Sequence, residues 1–173
     1  MAAAMSASLC AASVASGLAQ GAETGGILQC RMRVPSQVAA GQAIPLTFEL
    51  VSRSYKTLYV LPWNTPLEGW LGRSIRVTGA DGADIEYTGP QVKRGAPARR
   101  DYKVLLPGKR LRAVVDVTQA YSLGRPGRYE IAFDGTLHDV TTRAPGSSRI
   151  PYPLRCPTIA VNVVAGKSPP RSR

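Results

Sequence analysis

From residue 27 onward, apolar side chains recur at every second position in short runs, and Gly, Pro and Asp separate the runs. Period two puts successive side chains on opposite faces of a pleated strand, so each run predicts a half-buried antiparallel strand. The clearest run is Ala43 to Val51, where Leu46, Phe48 and Leu50 face one way and Thr47 and Glu49 the other. Similar alternation marks Ile27 to Val34, Thr57 to Leu61, Arg73 to Thr78, Ala83 to Tyr87, Arg110 to Val117, Arg128 to Phe133 and Thr158 to Val164. In Arg128 to Phe133, inward Tyr129, Ile131 and Phe133 alternate with Arg128, Glu130 and Ala132, which a helix would smear around its circumference. No stretch carries the three-and-four spacing of an amphipathic helix, and no internal repeat is present.

Short strands without intervening helices predict an all-β antiparallel sandwich in preference to a small barrel. Gly127-Arg128-Tyr129 at the head of a strong strand resembles the tyrosine corner of immunoglobulin-like domains, in which the hydroxyl bonds back to an upstream backbone group. The expected fold is therefore an immunoglobulin-like β-sandwich of about 7–8 strands, spanning residues 23–165.

Composition supports a single core. The chain has 173 residues, 44% of them hydrophobic, while 17 Gly and 14 Pro interrupt any helical bundle. The first 22 residues are uncharged and rich in Ala and Ser, and predict a signal peptide cut near Ala19, although the usual basic residue near the start is missing. Small side chains make this stretch a poor membrane anchor, and Leu9 before Cys10 speaks against lipidation. Removing the leader leaves Cys30 and Cys156, an even pair that suggests one disulfide in a periplasmic or secreted protein, against the alternative of two buried thiols. Residues 166–173 read as a disordered basic tail.

Charge narrows the choice of partners. The chain carries 22 Lys+Arg against 11 Asp+Glu, a formal +11, and the segment from Lys93 to Arg112 holds eight basic residues and one acidic one. Such a field draws acidic partners. Nucleic acid is disfavoured because the basic residues are not interleaved with aromatics. A second feature, Leu61 to Trp70, holds both tryptophans in a Pro- and Gly-interrupted connection that forms either a binding surface or a lid over the core.

Catalytic signatures are missing: there is no phosphate loop, CxxC pair, nucleophile elbow or HExxH helix. The sole histidine, His138, precedes Asp139 with Thr136, Thr141 and Thr142 nearby, an arrangement more common in an ordinary loop than in a base-nucleophile pair. Asp81, Asp84 and Glu86 flank Gly82 at a spacing that fits a hairpin turn and no calcium loop. We therefore expect no catalytic residue, no cofactor and no metal.

Asn64-Thr65-Pro66-Leu67-Glu68-Gly69, Ile85 to Pro90 with Lys93-Arg94, Asp101-Tyr102, Leu106-Pro107-Gly108, Val115-Asp116-Val117 and Tyr121 to Tyr129 follow one another in order. Together they resemble the N-terminal pro-region of bacterial deuterolysin-type (aspzincin) zinc endopeptidases, over roughly Ile27 to Phe133. The resemblance implies an immunoglobulin-like domain that assists folding of a secreted metallopeptidase and holds it inactive. The family's catalytic HExxH helix is not in this sequence, so the resemblance implies a non-catalytic pro-region-like domain, not an enzyme. Since that family favours basic residues beside the scissile bond, Lys93, Arg94, Arg99 or Arg100 would act as a pseudo-substrate, with Trp63 and Trp70 as further partner-binding residues. The rival expectation is an envelope accessory or adhesion domain that binds acidic polysaccharide or lipopolysaccharide through its basic face. Neither reading calls for integral membrane association.

Overall fold

The structure, a computed structural model, describes residues 26–143 and 149–166. The expected signal peptide and the tail beyond Gly166 lie outside the described residues. Among the described residues the fold is all-β, with eleven strands in three sheets: β1 (Leu28–Arg33), β2 (Gln37–Ala39), β3 (Pro45–Ser52), β4 (Leu58–Leu61), β5 (Ile75–Thr78), β6 (Lys103–Leu105), β7 (Arg110–Asp116), β8 (Gly127–Phe133), β9 (Leu137–Thr141), β10 (Pro151–Tyr152) and β11 (Ile159–Val164). The sheets run β1-β3-β7, β10-β9-β4-β6 and β2-β11-β8-β5, antiparallel except for the β2-β11 pair.

Seven of the period-two runs become strands. Ala83 to Tyr87 does not, and makes only isolated bridges from Asp84 to Thr78 and from Tyr87 to Tyr121. Its apolar side chains still pack on the core, so the alternation reports burial without a ladder. Four strands leave weak sequence signals: β2 and β6 have three residues, β10 has two and includes a proline, and in β9 the alternation is broken.

The inner faces form one core. On β3, Leu46, Phe48 and Leu50 are fully buried, and Phe48 meets Phe133 of β8 at a ring separation of 5.6 Å, joining two sheets. Trp70, Tyr87 and Tyr121 form a second aromatic cluster with centroids 5.4–6.4 Å apart. Such tilted and edge-to-face contacts match the positive ring edge of one residue to the negative face of another. Tyr129 makes the corner bond, its hydroxyl donating to the Arg125 carbonyl at 2.8 Å. The Cys30–Cys156 disulfide is formed, tying β1 to the segment before β11 across a sequence separation of 126. In the chain-entropy model a loop this long contributes up to about 5 kcal/mol to stability.

Candidate functional site

At one end of the β10-β9-β4-β6 sheet, three connections meet over a cleft of about 230 Å³ lined by Leu61, Trp63, Asn64, Val92, Arg94, His138 and Arg149. The floor begins where β4 ends. Thr65 caps a 3-10 turn (Pro66–Glu68), its hydroxyl accepting from the Leu67 amide and donating to the Pro62 carbonyl at 2.6 Å. Glu68 reaches back to the Asn64 amide at 2.9 Å, and Gly69 leaves the turn with φ 79. Local polar chemistry thus shapes Asn64 to Gly69, which explains why this stretch reads as a motif in the sequence.

Arg94 is locked onto that turn. Its Nη2 donates to Glu68 Oε2 at 2.7 Å, and its guanidinium lies 4.7 Å from the Trp63 ring centroid. Burial pushes the Glu68 carboxyl above its ordinary range, and the Asn64 amide and Arg94 pull it only partway back. Arg149, from the β9-β10 connection, lies 5.4 Å from the same ring centroid and donates to the Arg94 and Gly95 carbonyls. One indole therefore carries two guanidiniums, each attracted by its π face.

A buried carboxylate organises the back of the cleft. On β9, the pairing to β4 shifts between Val60↔Val140 and Leu61↔His138, leaving Asp139 as an extra residue with φ 45. This bulge turns the Asp139 side chain inward. At 1% exposure it accepts hydrogen bonds from the Tyr102 hydroxyl at 2.8 Å, the Arg149 amide at 2.8 Å and the Ile150 amide at 2.5 Å. Burial, followed by the bond and charge of Asp139, pushes the Tyr102 hydroxyl up to about 12.

The structure sorts the sequence candidates. Lys93, Arg99 and Arg100 are exposed on the connection between β5 and β6, while Arg94 is held against Trp63 and Glu68. Trp63 lines the cleft. Trp70, in contrast, is 8% exposed, packs on Tyr87 and Tyr121, and donates from Nε1 to the Asp116 carbonyl at 2.8 Å. Its place is in the core, which corrects its assignment to a partner surface. The basic segment is also divided, because the turn at Leu106 to Lys109 carries the chain from β6 in one sheet to β7 in another.

His138 lines the cleft beside Asp139, whose carboxylate is engaged by Tyr102, Arg149 and Ile150. Asp81 accepts from the Ala83 amide and Asp84 from Thr78, the internal bonds of a turn. Among the described residues no cluster of three or more His, Cys, Asp or Glu could hold a metal. Asp139 enters the sequence reading only as the neighbour of His138, and the Glu68–Arg94 and Arg149–Arg94 contacts do not enter it, because they join residues 26 and 55 positions apart.

The cleft wall is mixed, with the Trp63 ring and Val92 beside the engaged Arg94 and Arg149 guanidiniums. The cleft volume falls below that of a typical small-molecule site, about 300–1,000 Å³, and matches one inserted side chain. Among the described residues no helix is long and apolar enough to cross a membrane. No family model matches the chain. Over 90 residues it is 27% identical to an extracellular protease of Aeromonas hydrophila, a match covering 52% of this chain and 25% of that protein. The chain is thus distantly similar, over about half its length, to a quarter of an extracellular protease.

Proposed function

We propose that this chain is an exported, non-catalytic domain that binds a secreted zinc endopeptidase and acts as its inhibitor or folding assistant. The observation that carries the reading is the clamp on Arg94. It fixes the connection after Pro90 at the cleft, where Val92 lines the wall with its amide on the Leu71 carbonyl, while the adjacent Lys93 is exposed. A substrate-like segment anchored this way loses little conformational entropy on entering a cleft. Lys93 then supplies the basic side chain for an acidic specificity pocket, with Arg99 and Arg100 on the following 3-10 turn (Arg99–Asp101) as flanking charges. Arg94 supports the segment without presenting itself. The similarity to an extracellular protease and the disulfide both fit an export context.

The test is inhibition of an aspzincin endopeptidase by the oxidised chain. Lys93→Glu is expected to raise the inhibition constant about tenfold or more, since a like charge is placed in an acidic pocket. Arg99→Glu/Arg100→Glu is expected to slow association and make it less salt-dependent. Unchanged inhibition with Lys93→Glu, in a chain of unchanged stability, would refute the pseudo-substrate reading.

A further inference from the structure

A second cationic surface covers the outer face of the β1-β3-β7 sheet. The register sets Arg31 and Arg112 on either side of Glu49, and Gln29 and Arg110 on either side of Val51. Arg33 borders Thr47 on the same face. Arg53, just past β3, joins them: it donates to Gln29 Oε1, which also accepts from Arg31 at 3.1 Å. Arg112 and Arg110 approach Glu49 through Nε at 3.7 and 3.9 Å. Arg31, Arg110 and Arg112 thus flank Glu49, which lies only 5% exposed, while Arg33 and Arg53 extend the cationic row to either end of the face. Asp116, farther along β7, is engaged with the Ile44 and Thr118 amides.

We propose that this face binds a linear acidic polysaccharide, whose carboxylate or sulfate groups are received by Arg31, Arg33, Arg53, Arg110 and Arg112. Neighbouring strands lie about 4.8 Å apart and same-face residues along a strand about 7 Å apart, so the arginines are rooted in a closely spaced grid. Each guanidinium is a planar fork of five donors matched to oxyanions. Gln29 and Glu49 hold four of them in place, which reduces the ordering lost on binding. None of the positions paired on this face is aromatic, so nucleobases find no stacking platform. Its centre is a carboxylate flanked by Arg31, Arg110 and Arg112, with the exposed Val114 at one end, unlike the apolar core of a protein interface. The surface is independent of the protease reading; of the basic Lys93–Arg112 segment it uses Arg110 and Arg112, and it adds Arg31, Arg33 and Arg53.

The test measures binding of the oxidised full chain to polygalacturonate and to heparin at low salt. Arg31→Gln/Arg112→Gln and Lys93→Gln/Arg100→Gln remove the same net charge from the two surfaces. The first pair is expected to weaken binding about tenfold and the second less than about twofold, with a steep loss as salt rises. Arg31→Lys/Arg112→Lys keeps the charge but loses the fork, with about threefold weakening expected; it also preserves the test if the glutamine pair does not fold. Equal loss in the two glutamine pairs would overturn the proposal, because net charge alone would explain binding. Tighter binding of a single-stranded oligonucleotide or of anionic lipid vesicles than of either polysaccharide would overturn it as well. Lys93→Glu, the test of the protease reading, leaves this face untouched.

Discussion

Asp139→Ala tests how the cleft is held together. The carboxylate is 1% exposed and receives the Tyr102 hydroxyl and the Arg149 and Ile150 amides at 2.5–2.8 Å. Bonds to a charged acceptor contribute about 1.5–3 kcal/mol each, and a buried donor left without a partner costs about 1–3 kcal/mol. The three do not add in full. Arg149 and Ile150 are exposed, so their amides can be rehydrated, whereas Tyr102 is 8% exposed and bears most of the penalty. A net loss of about 2–4 kcal/mol follows. It is measured by urea unfolding with the disulfide intact, alongside Tyr102→Phe and the double variant. Because one bond links the two side chains directly, the cycle is expected to show a coupling of about 1–2 kcal/mol. A loss under about 0.5 kcal/mol for Asp139→Ala, or a coupling near zero, would refute Asp139 as the tie between these connections.

Two further outcomes follow from the same region. Tyr102 is pushed up to about 12 in the folded chain from its ordinary value of 10.0, so the native state retains its proton where the unfolded chain has lost it. The sign is therefore destabilising with alkali: the contribution is complete below about pH 10 and falls by about 2–3 kcal/mol as pH rises through 12. Tyr102→Phe should flatten that limb in pH-dependent unfolding, leaving the part due to Tyr121, also pushed up by burial; an unchanged limb would contradict the assignment. Gly135→Ala would place its Cβ 2.0 Å from the Asn64 carbonyl oxygen, a backbone atom, whereas a Cβ on Gly95 meets nothing within 4 Å. The first should cost about 2–4 kcal/mol and disturb the Trp63 turn, and the second should be within about 0.5 kcal/mol of neutral. Thermal melts and tryptophan emission check both.

Glu49 shows how far the pattern carries and where it stops. Alternation on β3 assigns Leu46, Phe48 and Leu50 to the core and Glu49 to the opposite face, and that is where each lies. The pattern also implies that Glu49 is exposed, yet Arg110 and Arg112 cover it. Burial on an outer face comes from neighbours on another strand, which a local period does not contain. Trp63 and Trp70 make the same point from one short connection: the first carries two guanidiniums at the cleft, and the second joins Tyr87 and Tyr121 inside.

The sequence by itself determined the all-β class, most of the strands, their inward faces and the Tyr129 corner, because side-chain alternation and turn chemistry are properties of neighbouring residues. It also suggested Cys30 and Cys156 as a pair, on the expectation that Cys10 lies in a signal peptide. Only the tertiary structure decided which charges share a surface. Lys93 and Arg112 belong to one basic run in the sequence, but β6 and β7 lie in different sheets, so the run is split between an exposed connection and the outer face of another sheet. Arg31 and Arg112 are far apart in sequence, yet antiparallel register places them on either side of Glu49. Register is set by long-range packing, and no local pattern along the chain encodes it.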